Sequence, residues 1–148
     1  MQVESNIGIN CHSKNSMVIH PSEMFMLYAV GSLLVVKSVD DQKDKYLKGH
    51  TGKINYIAVS KRGDLVGTGE VHDIKSSEVA ALIVWDFTSL EIMYRVKYHK
   101  QMIMALSFNC DGNYLVTVGG AKDNNMLVLW SMDEGKSEVF QPASDEPD

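Results

Sequence analysis

Gly49-His50-Thr51-Gly52-Lys53-Ile54-Asn55-Tyr56-Ile57-Ala58-Val59, with its continuation to Trp85-Asp86, decides how the 148-residue chain is read. Gly49-His50 opens the stretch, and Ile54, Ile57, Ala58 and Val59 carry a strand pattern into the turn Ser60-Lys61-Arg62-Gly63-Asp64. Leu65-Val66-Gly67-Thr68-Gly69 is a second strand, and Leu82-Ile83-Val84-Trp85-Asp86 closes a third. Short β-rich runs punctuated by Gly, Ser and Asp turns read as one antiparallel unit. A His before the first strand, a Thr on the second and a Trp on the third can satisfy one another's polar groups away from water. On that mapping His50, Thr68 and Trp85 form a buried polar relay.

The same spacing recurs downstream. His99, Ile103, Leu106, Phe108, Gly112 and Thr117 follow His50, Ile54, Ile57, Val59, Gly63 and Thr68 at a constant offset of 49, and Trp130 follows Trp85 at 45. The four lost residues fall in the turn between the second and third strands, read as Glu70 to Glu78 in one unit and Gly119 to Asn125 in the next. A slip of one residue would turn a strand's core side chains outward, whereas surface turns tolerate changes of length. The second relay is therefore His99, Thr117 and Trp130, with Asp123 in the turn as its fourth member. A last strand is expected at Ser137 to Phe140.

Upstream the pattern is degenerate. Met17 to Ile19, Met24 to Val30, Leu33 to Val36 and Lys45 to Leu47 read as four strands, but Lys37-Ser38 stands where Trp85-Asp86 would, and His12 is a weak substitute for the opening His. This unit is expected to lack the relay. The division expected is an arm or leading strand at 1–14, a degenerate unit at 15–48, two full units at 49–97 and 98–140, and an acidic tail at 141–148.

Composition narrows the function classes. Hydrophobic content of 45% and charged content of 22% are ordinary for a globular chain. Residues 133–148 hold six acids and one base, while the other 132 residues balance 13 acids against 13 bases. No basic face points to nucleic acid, no apolar run is long enough to span a membrane, and no secretory signal opens the chain. Cys11 and Cys110 are far apart and are read as reduced thiols. No Cys/His spacing fits a zinc site. Gly63 to Gly69 lacks the Gly-Lys-Ser/Thr ending of a phosphate loop, and nothing marks out a hydrolase triad. No cofactor, metal or catalytic residue is expected. The strand methionines Met17, Met24, Met26, Met102, Met104 and Met126 are read as core filling. Lys43, Lys45, Lys48 and Lys53 are read as a charged edge that deters sheet-to-sheet pairing and is suited to an acidic partner. His72-Asp73 is read as solvated, and His20 as a turn residue before Pro21.

Residues 15 to 132 resemble the WD40 family of β-propellers, through His50, Trp85-Asp86, His99 and Trp130. Within it they are similar to the ciliary double-propeller proteins related to the microtubule-associated EMAP-like group, on four further runs. These are Gly31 to Val39, Gly67-Thr-Gly69-Glu70-Val71 with its expanded turn, Tyr98-His99-Lys100, and Tyr114 to Gly120. The resemblance implies an all-β chain of about three four-stranded antiparallel blades, an incomplete propeller, since closed propellers need at least four. It further implies a non-catalytic scaffold of the ciliary or flagellar axoneme, held in the lumen of the doublet microtubule. Tubulin and other luminal proteins would be its partners, and another propeller segment would complete the fold. The competing function is a cytosolic adaptor fragment that recruits proteins for signalling or ubiquitin ligation.

Overall fold

The computed structural model describes residues 17–73, 75–123, 126–132 and 137–140, the side chains of residues 123 and 137–140 excepted. The expected arm at 1–14 and tail at 141–148 lie outside that range. Three four-stranded antiparallel sheets follow one another along the chain. The first holds β1 (Met17–Ile19), β2 (Phe25–Val30), β3 (Leu33–Ser38) and β4 (Asp44–Leu47). The second holds β5 (Lys53–Val59), β6 (Leu65–Val71), β7 (Val79–Asp86) and β8 (Glu91–Lys100). The third holds β9 (Ile103–Phe108), β10 (Tyr114–Gly119), β11 (Leu127–Ser131) and β12 (Ser137–Phe140). Each sheet pairs its strands in chain order, and the innermost strands β1, β5 and β9 lie side by side. The fold is that of propeller blades.

Alternation of side chains across a strand decides how the blades stack. On β7, Ile83 and Trp85 pack with Leu27, Leu34, Val36, Ile54, Ile57 and Val66 between the first and second sheets. Ala80, Leu82 and Val84 face the other way and pack with Ile103, Leu106, Leu115, Val128 and Trp130 of the third. The middle sheet is thus buried on both faces, and β7 reads as a nearly continuous apolar run for that reason. Gly69 lets the third blade approach: a Cβ there would lie 2.8 Å from the Ile103 Cβ.

One turn repeats in all three blades. Ser60, His20 and Asn109 each donate their N–H to the carbonyl five residues on (Leu65, Phe25 and Tyr114). Gly63, Glu23 and Gly112 donate back to the carbonyls of Ser60, His20 and Asn109. All three returning residues have positive φ, at 79°, 63° and 74°. These hydrogen bonds align the blades independently of side chains: Thr68 corresponds to Tyr28 and Thr117, and Trp85 to Lys37 and Trp130. The degenerate first blade therefore keeps the backbone of the turn while a glutamate occupies the left-handed position that glycine holds in the other two.

The structure departs from the sequence reading in the extent of a strand and in the make-up of the core. The turn expected at 70–78 is shorter, because β6 runs on through Glu70 and Val71, and Glu70 is wholly buried. The methionines do not fill the core: Met17, Met24 and Met104 are exposed, and Met26, Met102 and Met126 are half-buried. Leu, Ile and Val of β3, β5 and β7 occupy most of the space between sheets instead, with Met126 only partly buried against the cluster between the second and third sheets.

Two substitutions test this packing in opposite directions. Gly69→Ala should destabilise by about 1–3 kcal/mol, since the added methyl must displace Ile103. Glu23→Gly should stabilise by about 0.5–1 kcal/mol by relieving the left-handed backbone. A urea midpoint for Glu23→Gly at or below the parent's would contradict the shared turn, and one for Gly69→Ala at or above it would contradict the packing against Ile103.

Candidate functional site

The polar groups with the richest bonding lie inside the second blade. His50 lies between β4 and β5, Thr68 on β6 and Trp85 on β7, and all three are buried. The Trp85 indole N–H donates to Thr68 Oγ1 at 2.9 Å, and that hydroxyl meets His50 Nε2 at 2.5 Å. The Thr68 hydroxyl also reaches the Ile83 carbonyl at 3.4 Å, and because the Glu70 carboxylate can only accept, His50 carries a proton on Nδ1. That carboxylate belongs to a residue the sequence reading missed. His50 Nδ1 donates to Glu70 Oε2 at 3.1 Å, and the carboxylate also accepts the Gly52 N–H at 2.9 Å and the Ala81 N–H at 2.7 Å. His72, on the turn read as solvated, is largely covered and brings Nε2 to 3.3 Å from Glu70 Oε1.

Burial would raise the Glu70 pKa, but the hydrogen bonds from His50, Gly52 and Ala81 outweigh it and hold the carboxyl at about 2. A signal for Glu70 was present in the sequence. It stands two residues after Thr68, so a strand puts both side chains on one face. Its acidity argued for exposure, because carboxylates are almost never fully buried unless paired.

The third blade repeats the inner part. His99 Nε2 meets Thr117 Oγ1 at 2.7 Å, and the Trp130 indole donates to the same oxygen at 2.9 Å. His99 lies on β8, the outer strand of the second sheet, so this relay joins two sheets. Gly119 replaces Glu70 at the corresponding position. Asp123 ends a 3-10 turn at Ala121–Asp123, and its side chain lies outside the described residues. The first blade has Tyr28 and Lys37 at the Thr and Trp positions, on the face turned away from the second sheet, and so lacks this pairing.

His20 does more than end a strand. It is buried, its Nε2–H donates to the Gly63 carbonyl at 2.7 Å, and its ring stacks on Phe87 with centroids 4.0 Å apart. Phe25 packs edge-on against Phe87, so the first blade grips both the turn at Gly63 and the residue after β7. Among the described residues no group of three or more His, Cys, Asp or Glu is arranged to hold a metal ion, and no buried side-chain polar atom lacks a partner.

Glu70→Gln should cost about 1–3 kcal/mol, because an amide cannot accept at every lone pair that the carboxylate offers. The acid dependence follows from the lowered pKa. The folded carboxyl titrates at about 2 and the unfolded one near the ordinary 4.5, so its stabilisation is complete above 4.5 and is lost as pH falls towards 2. That window is worth about 3 kcal/mol. Urea melts from pH 6 to 2.5 should therefore show the gap between parent and Glu70→Gln closing as pH falls; a constant gap would contradict the ionised, buried carboxylate.

Comparison with known proteins agrees with this geometry. The family described as WD domain, G-beta repeat, matches residues 90–131. Cilia- and flagella-associated protein 52 of Chlamydomonas reinhardtii is 30% identical over 143 residues, covering 96% of this chain and 23% of that protein. The Mus musculus protein of the same name is 29% identical over 144 residues, covering 97% and 23%. The crystal structure of the RRP9 WD40 repeats superposes with a TM-score of 0.75 over 97% of this chain and 42% of that one, at 17% identity, a likeness of fold alone. The chain thus spans about a quarter of the length of the curated relatives it matches. Three stacked four-stranded sheets, the repeated His–Thr–Trp contact and these likenesses together mark the fold as WD40-like, with residues 90–131 matching the WD-repeat family itself.

Proposed function

We propose that this chain is a non-catalytic structural component of the ciliary or flagellar axoneme. In this reading it belongs to the lumen of the doublet microtubule and contacts tubulin and neighbouring luminal proteins. The observation that carries the reading is the similarity to cilia- and flagella-associated protein 52 over nearly the whole chain. The interior supports a scaffold: histidines and a carboxylate that would suit acid–base chemistry are instead bonded inward. His50, Thr68, Trp85, His99, Thr117, Trp130 and Glu70 hold strands to one another, and Asp123 is assigned to the same structural role. The faces of the first and third sheets that no described residue of this chain covers belong against further propeller segments, consistent with the short span of the relatives that this chain matches.

Fractionation tests the assignment. The tagged chain, expressed in a flagellated cell, should stay with the axoneme through detergent extraction and a high-salt wash. Release with the detergent-soluble fraction would overturn the axonemal reading.

A further inference from the structure

The three blades create two grooves at their outer rim, and the repeat makes them comparable residue by residue. Val36 and Val84 each stand two residues before the end of the third strand of their blade. Lys45 pairs with Val36 across β3 and β4, and Tyr94 pairs with Val84 across β7 and β8. On the far side, the Phe87 N–H bonds to the Asp64 carbonyl as the Met132 N–H bonds to that of Asn113. Lys45 therefore stands where Tyr94 stands, and Phe87 where Met132 stands.

The two grooves are filled differently. Between the second and third blades the Tyr94 ring lies in the groove, its hydroxyl donates to the Met132 carbonyl at 2.9 Å, and a cavity of about 30 Å³ remains. Between the first and second blades no ring among the described residues takes that place, and the groove has a volume of about 390 Å³. Its floor is apolar, made by Phe25, Val36, Phe87 and Leu90, and its rim carries Lys43 and Lys45. Asp41 also lines it and accepts the backbone N–H of Lys43, so the lining sets two lysines against one aspartate. A lysine lays its stem along apolar surface and keeps its charge in water, so it does not close such a groove as tyrosine does. The floor is held in shape by the edge-to-face Phe25–Phe87 pair and by His20 stacked behind Phe87.

We infer that this groove receives one aromatic side chain from a short acidic segment of another protein, which supplies from outside what Tyr94 supplies from within. By its correspondence with Met132, the Phe87 carbonyl is the expected acceptor for a tyrosine hydroxyl. Lys43 and Lys45 select acidic flanks. The inference does not depend on a ciliary location.

The test uses the full chain, isotope-labelled, titrated with the peptide Glu-Glu-Tyr-Glu-Glu and followed by amide shifts. Saturable shifts should be confined to residues 25, 36–45 and 87–90. Glu-Glu-Ala-Glu-Glu and Lys-Lys-Tyr-Lys-Lys should each bind at least tenfold more weakly. Lys45→Tyr should fill the groove from within, abolish binding and raise the melting temperature. The pair Lys43→Glu with Lys45→Glu should keep the parent's melting temperature and weaken binding at least tenfold. Equal binding of the alanine peptide, undiminished binding to either variant, or shifts elsewhere would overturn the inference. So would the same amides responding to protein concentration alone, which would assign the groove to a second copy of this chain.

Discussion

A four-stranded sheet has two faces, and in this chain both must be covered for the sheet to be stable. That requirement governs the rest. The middle sheet meets it fully, with Ile83 and Trp85 turned to one neighbour and Leu82 and Val84 to the other. Glycine at position 69 is a consequence, because the third blade comes too near for a side chain there. So is the aromatic grip of His20, Phe25 and Phe87, which closes the lower edge of the first interface.

Within that packing the polar relay solves a narrower problem. The linker that precedes a blade must be fastened where water is absent, and each donor in it needs an acceptor. Thr68 links Trp85 to His50, and Glu70 takes the outer proton of His50 together with two backbone N–H groups. A charged carboxylate is tolerated in this interior because three donors converge on it. The third blade reaches the same inner arrangement with a glycine in place of Glu70, so the His–Thr–Trp contact is the common element.

The blades were legible because their cues are local. Alternation in β5 and β9, the Gly63 and Gly112 turns, and the constant offset between His50 and His99 all follow from strand register. Even the degenerate blade was visible through its strand lengths, and Lys37 aligned with Trp85 from sequence spacing alone. The strand face of Glu70 was legible from Thr68, but its burial was not, because that depends on donors from Gly52 and Ala81 that are distant along the chain. His20 was missed for the same reason: its partner is the carbonyl of Gly63, on another blade. The methionines misled in the opposite sense, since hydrophobicity says nothing of which sheet face a neighbour will cover. The open groove beside Lys45 emerges only when two interfaces are laid over one another.

His99 has a mechanical implication. It sits on the outer strand of the second sheet, yet its ring is fastened to Thr117 in the third. An outer strand with bonds on one edge is ordinarily the first to peel under load. Here peeling β8 would also pull a buried imidazole out of the adjacent sheet, so the elementary unit of resistance is a pair of blades. A pulling force would meet one cooperative joint where the sheet count alone suggests independent leaves.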